Sequence, residues 1–270
     1  MITSGSASQR FRLGMSFPFK AFRYLREHPP LWGWVALPAV INLVLLVSGV
    51  VSSWMVAPQI VGWLWTRPAE GLALVAWVLT VWVARLALAA FIGMGVYLAA
   101  GIFSAPFNEV ISEKVEQFEL GDASEPWTAA IFLRDTLISV LHSLGSMGVY
   151  LLCMAPLLLL NVIPGLGSVL FTIASWTLTA FFLAREMLDG VTSRRRMSLR
   201  AKIQLVNQHR ALMGGFGFAQ NILLWIPLAN FVCLPIGVIG GTLMYIELER
   251  AGLAPSRKRI QRGGDMLSRE

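Results

Sequence analysis

Two apolar runs, 31–56 and 72–103, constrain this chain more than anything else in it. Both exceed the roughly 20 residues that a helix needs to cross hydrocarbon. Inside a bilayer the backbone must satisfy its own hydrogen bonds, so continuous apolar runs of this length are read as helices. Four more runs follow, at 136–160, 168–184, 215–226 and 231–246. The last two are only about 12 and 16 residues long, too short to cross alone, and read as halves of one hairpin. The chain is 56% hydrophobic and 14% charged, where a soluble domain carries about 25% charged residues. The fold class expected is an all-α integral membrane protein. It has two long transmembrane helices, two partially inserted helical hairpins and amphipathic interfacial helices.

The net charge of +7 raises nucleic acid as a partner, and its distribution argues against it. Of 22 Lys and Arg, 5 lie in 1–28, 2 in 104–135, 7 in 185–212 and 6 in 250–270. If each hairpin crosses and returns, these segments share one side of the membrane, with only Arg67 and Arg85 elsewhere. That is the positive-inside pattern. Both termini are expected in the cytoplasm, and the basic residues are expected to meet anionic lipid. No cleavable signal peptide is expected, because the first run lies behind a basic segment and is too long for an h-region. Cys153 and Cys233 lie in apolar runs and read as inert thiols.

Along the chain, 1–12 reads as a disordered N-terminus. From 13 to 28 apolar and basic residues alternate: Phe17, Phe19, Phe22, Tyr24 and Leu25 against Lys20, Arg23 and Arg26. This predicts an amphipathic helix on the membrane surface, stopped by Pro29-Pro30. The second long run spans roughly 33 residues, about 50 Å, so it tilts or projects beyond the lipid. At Ala105-Pro106-Phe107-Asn108 the span is expected to end and an acidic interfacial helix to begin. Val110, Ile111, Val115 and Phe118 form its apolar side, and Glu109, Glu113, Glu116 and Glu119 sit largely opposite. Asn108 is expected to cap it and Gly121 to stop it. Residues 194–210 read as a basic interfacial helix. Pro164 and Gly165 close one hairpin; Pro227 and Asn230 close the other.

Arg85 lies midway along the second apolar run, where a charge needs a partner or water. It reads either as a structural residue with a partner in the bundle or as part of an anion path. Glu113 and Glu116 read as a solvated acidic face or as a gate, with Arg134 the nearest plausible partner in sequence. Arg26 and His28 precede the first span, where a helix start favours anions. They read as lipid-headgroup contacts or as anion-path residues. No catalytic or metal constellation is present: His28, His142 and His209 lack ligand spacing. Nucleophile-elbow, zincin and phosphate-loop motifs are missing too. No enzyme activity, cofactor or metal is expected, and an ATP-driven pump is excluded within this chain.

Several motifs carry a resemblance. Leu37-Pro38 with Asn42 is followed by Ala105-Pro106-Phe107-Asn108 with Glu113 and Glu116, then by Ile163-Pro164-Gly165-Leu166-Gly167. Ile226-Pro227-Leu228-Ala229-Asn230-Phe231 and Leu234-Pro235 come last. In this order they resemble the CysZ-type sulfate permeases and the etoposide-induced membrane protein family, over roughly residues 15–250. The resemblance implies two long transmembrane helices, partially inserted hairpins, a homo-oligomer and sulfate uptake. It also implies a membrane domain over 13–250 with a basic cytoplasmic tail over 251–270. Sulfate-permease members carry Gly-hydrophobic-Arg-Arg just before the first long helix; here those positions read Pro30-Leu31-Trp32-Gly33-Trp34. The reading that follows is a bacterial inner-membrane permease or channel for sulfate or a related small inorganic anion. Its rival is a non-transporting membrane scaffold of the same family.

Overall fold

Helices account for all the regular structure among the described residues, which are 5–121, 145, 147–195, 197–226 and 230–256 of the computed structural model. For 97–106, 230 and 231 the description covers the backbone alone. In chain order the helices are α1 (Ala7–Glu27), α2 (Pro30–Leu64), α3 (Leu72–Leu120), α4 (Met147–Val162), α5 (Leu166–Met187), α6 (Asp189–Arg194), α7 (Leu199–Gln208), α8 (Arg210–Leu224) and α9 (Asn230–Arg250). The chain divides into two compact units. One comprises Met1–Val35 with Ala105–Glu270; the other is Ala36–Ser104.

The smaller unit holds most of α2 and the first part of α3. Its surface is almost wholly apolar: Val47, Leu79, Leu86 and Phe91 are all exposed, as lipid-facing residues are. Gly49 is pressed against Ile92, so the two helices approach closely there. The connection between them is pinned where the Trp77 indole donates to the Trp65 carbonyl at 3.0 Å. Gly71, at φ +79°, makes the left-handed turn into α3.

In the larger unit α1 opens at Ala7, inside the stretch read above as disordered. The cause is a capping box: Gln9 N donates to Ser6 Oγ at 3.3 Å and Ser6 N to Gln9 Oε1 at 2.9 Å. The apolar face expected on this helix splits in two. Phe17, Ala21, Tyr24 and Leu25 are buried, while Phe19 and Phe22 are exposed beside the basic residues. The buried face crosses α8, where Gly14 lies against the Leu212 carbonyl and Gly215 against that of Phe11. The backbones touch, and neither position leaves room for a Cβ. Gly217 meets the Ala180 carbonyl of α5 in the same way. Phe216, Met213, Ile239, Met244 and Tyr245 fill the core between α8, α9 and their neighbours.

Among the described residues four segments are long and apolar enough to cross a membrane: Pro30–Leu64, Leu72–Val96, Leu166–Met187 and Val232–Arg250. Their setting differs. The window in α9 is 72% buried inside the protein and that in α3 only 6%. The expected break at Ala105-Pro106-Phe107-Asn108 does not occur. α3 runs through it for 49 residues, about 73 Å at 1.5 Å per residue. Pro106 removes one backbone donor but does not end the helix. Asn108 is therefore inside a helix rather than at the start of one, and caps nothing. Gly121, at φ +66°, does end α3.

Candidate functional site

Two settings of charge stand out, a buried ion cluster in the larger unit and a single half-buried arginine in the smaller. In the larger unit Glu109, Ser112, Glu116 and Glu119 recur every three or four residues on the last turns of α3, which puts them on one stripe. That stripe is not a solvated acidic face. Ser112 is fully buried and Glu116 is 4% exposed. Opposite it, α6 ends in Arg194 and Arg195, where a helix C-terminus favours cations.

Arg194 donates to Glu116 Oε2 from Nε at 2.8 Å, to Ser112 Oγ at 2.7 Å and to the Glu109 carbonyl at 3.2 Å. Arg195, wholly buried, pairs with Glu116 Oε1 and donates to Glu249 Oε2 at 2.7 Å. Its guanidinium lies 4.9 Å from the Tyr245 ring centre. Burial opposes the charge of Arg195, but Glu116 and Glu249 outweigh it and raise the pKa above the ordinary arginine value. Ser112 also shares a hydrogen bond of 2.8 Å with Thr242 of α9, whose hydroxyl donates to the Val238 carbonyl. Behind this cluster Lys202 of α7 donates to Asp189 Oδ1 at 2.6 Å and to Ser193 Oγ at 2.9 Å, locking α7 to α6. Two carboxylates and two guanidiniums thus form a largely buried clasp joining α3, α6 and α9, with both oxygens of Glu116 engaged. Such an arrangement holds helices together; an anion would enter only by displacing a carboxylate.

The smaller unit holds the opposite case. The Arg85 guanidinium lies 4.9 Å from the Trp54 ring and 5.2 Å from the Trp82 ring. The two indoles meet edge to face at 5.4 Å. A cation over ring faces is attracted without spending an N–H donor. Among the described residues no carboxylate pairs with Arg85, and its buried Nε has no hydrogen-bond partner. In the same unit Asn42 is 3% exposed with Oδ1 unpartnered.

The other residues singled out in the sequence fall elsewhere. Arg26 is exposed in the last turn of α1. His28 caps that helix, its Nδ1 2.9 Å from the Tyr24 carbonyl and its ring stacked 4.0 Å from that of Tyr24. Neither forms part of the clasp. The start of α2, where the arginine pair is missing, meets a cation from elsewhere: Lys114 Nζ lies 5.5 Å from the Trp34 ring. Phe107 packs at 6.4 Å from the same ring, and Asn108 Oδ1 is buried without a partner. Glu113 is half-buried and makes no ion pair among the described residues. Pro164 and Gly165 form the turn into α5, with Gly165 at φ +79°. Pro106 and Asn230 are described by backbone alone; Arg134 and Pro227 lie outside the described residues.

The sequence reading missed Arg194, Arg195 and Glu249. One signal was available: an Arg triplet and the Glu247-Leu248-Glu249 end of an apolar run, both assigned to the face that carries Glu116.

A family profile described as Sulfate transporter CysZ/Etoposide-induced protein 2.4 matches residues 17–235. A protein of Pectobacterium atrosepticum named Sulfate transporter CysZ is 23% identical over 242 residues, 88% of this chain and 86% of that one. Proteins of the same name from Vibrio cholerae and Pseudomonas aeruginosa are 28% and 29% identical. Those matches span 59% and 56% of this chain, and 64% and 62% of the relatives' length, under two thirds in each case.

Proposed function

We propose that this chain, which belongs to the Sulfate transporter CysZ/Etoposide-induced protein 2.4 family, is a permease or channel for sulfate or a related small inorganic anion in a bacterial inner membrane. The substrate class comes from the relatives, which are named for sulfate transport. The observation that carries the reading in this chain is Arg85. Its charge is met by two indole faces and by no carboxylate among the described residues, in a largely apolar stretch of α2 and α3. The reading keeps the hairpins of α4–α5 and α8–α9 partly inserted, both termini cytoplasmic and the assembly homo-oligomeric. The one-sided basic charge supports the orientation.

The second reading, a membrane scaffold that transports nothing, draws on the closed clasp at Glu116 and the missing arginines at 30–34. Uptake of labelled sulfate into proteoliposomes separates the two. The permease reading expects sulfate entry above that of protein-free vesicles, reduced by excess selenate. Entry at the protein-free rate moves the assignment to the scaffold. A reporter fused after Glu270 is expected to read cytoplasmic, and a periplasmic signal there overturns the orientation.

A further inference from the structure

A pocket of about 680 Å³ opens in the larger unit, away from the clasp, between α1, α5, α7 and α8. Two cations line it, Arg10 of α1 and Arg210 of α8. Neither makes an ion pair among the described residues, and Arg10 Nε is shielded from solvent without a hydrogen-bond partner. Asn207 and Gln208 add side-chain amides, and no acidic side chain lines the pocket. The first turns of α1 and α8 both border it, at Ala7 and Ala211, and neither turn holds an acidic residue. Two guanidiniums and the first turns of α1 and α8 therefore border one volume together with the C-terminus of α7, and no carboxylate neutralises the cations. His209, at the N-cap of α8, is pushed below the ordinary histidine pKa chiefly by burial, against the opposing effect of a backbone hydrogen bond with Leu253.

The rest of the lining is apolar and leads outward. Phe181 and Phe218 form one wall. Phe218 lies 6.0 Å from Trp176, which stacks at 5.8 Å on Trp225. Along this strip Ile173, Ile222 and Trp225 are exposed. A free phosphate or sulfate is too small to fill the volume and has no use for the aromatic strip.

We propose that this pocket seats the phosphodiester of an anionic phospholipid, held by Arg10 and Arg210, with an acyl chain laid along the α5–α8 aromatic strip. The test uses full-length protein in detergent, with phosphatidylglycerol, phosphatidylcholine or inorganic phosphate as probes. Retained lipid is read by native mass spectrometry and stability by melting temperature. Phosphatidylglycerol is expected to remain bound and to raise the melting temperature more than phosphatidylcholine. The double variant R10Q/R210Q is expected to weaken that binding about thirtyfold, from about fivefold per arginine. Ala211→Glu is a second variant that keeps the fold, because a carboxylate in the first turn of a helix is favourable. It places a negative charge in the pocket and is expected to lose phosphatidylglycerol as well. Unchanged phosphatidylglycerol binding in either variant overturns the proposal. So does displacement of the lipid by millimolar inorganic phosphate, which would make this a site for a soluble anion.

Discussion

The two units bury charge in contrary ways. In the larger one, Glu116, Glu249, Arg194 and Arg195 pair with one another between three helices, with Arg195 Nε left without a hydrogen-bond partner. In the smaller one, Arg85 has aromatic neighbours but no carboxylate among the described residues. A closed ion cluster fixes helices; an open cation in an apolar setting costs several kcal/mol and is kept where something uses it. Individual glycines differ as sharply: Gly14, Gly215 and Gly217 in the larger unit touch neighbouring backbones, whereas Gly93 in the smaller has nothing within 4 Å.

Breaking the clasp is the largest perturbation the comparison offers. Arg195→Leu strands Glu249, leaves Glu116 to Arg194 alone and is expected to cost about 3–5 kcal/mol. The readout is a sharp fall in melting temperature and in the yield of monodisperse protein. A variant as stable as the parent would mean that the clasp does not hold the larger unit together. Smaller effects separate the two kinds of glycine. Gly217→Ala drives a methyl into the Ala180 carbonyl and is expected to cost about 1–3 kcal/mol. Gly93→Ala meets no neighbour and is expected to be neutral or to gain up to about 1 kcal/mol from helix propensity. Equal melting temperatures for the two would erase the packing contrast.

How far these features could be read from sequence follows the range of the interaction. The long helices α2 and α3 were legible because run length alone decides them. The end of α3 at Gly121 was legible too, but the break at Pro106 was misread: proline weakens a helix locally, and the continuous ladder on either side carried it through. The clasp was not legible, because Glu116 finds Arg194 and Arg195 at separations of 78 and 79 residues, through an arginine run that looks like any basic membrane loop. Arg85 was legible as an anomaly and not as a geometry. Its indole neighbours come from its own helix and from α2, and only Trp82 is close enough in sequence to suggest itself.

The central claim is that the open cation serves an anion while the closed cluster serves the fold. Sulfate flux per folded protein in proteoliposomes, compared between the parent, Arg85→Gln and Arg85→Lys, tests it directly. Arg85→Gln is expected to keep the parental melting temperature and oligomeric state and to lose flux by about tenfold, the worth of one charge-assisted hydrogen bond to the anion. Arg85→Lys is expected to retain part of the flux, since the charge survives without the planar fork. A folded Arg85→Gln protein that passes sulfate at the parental rate would contradict the account.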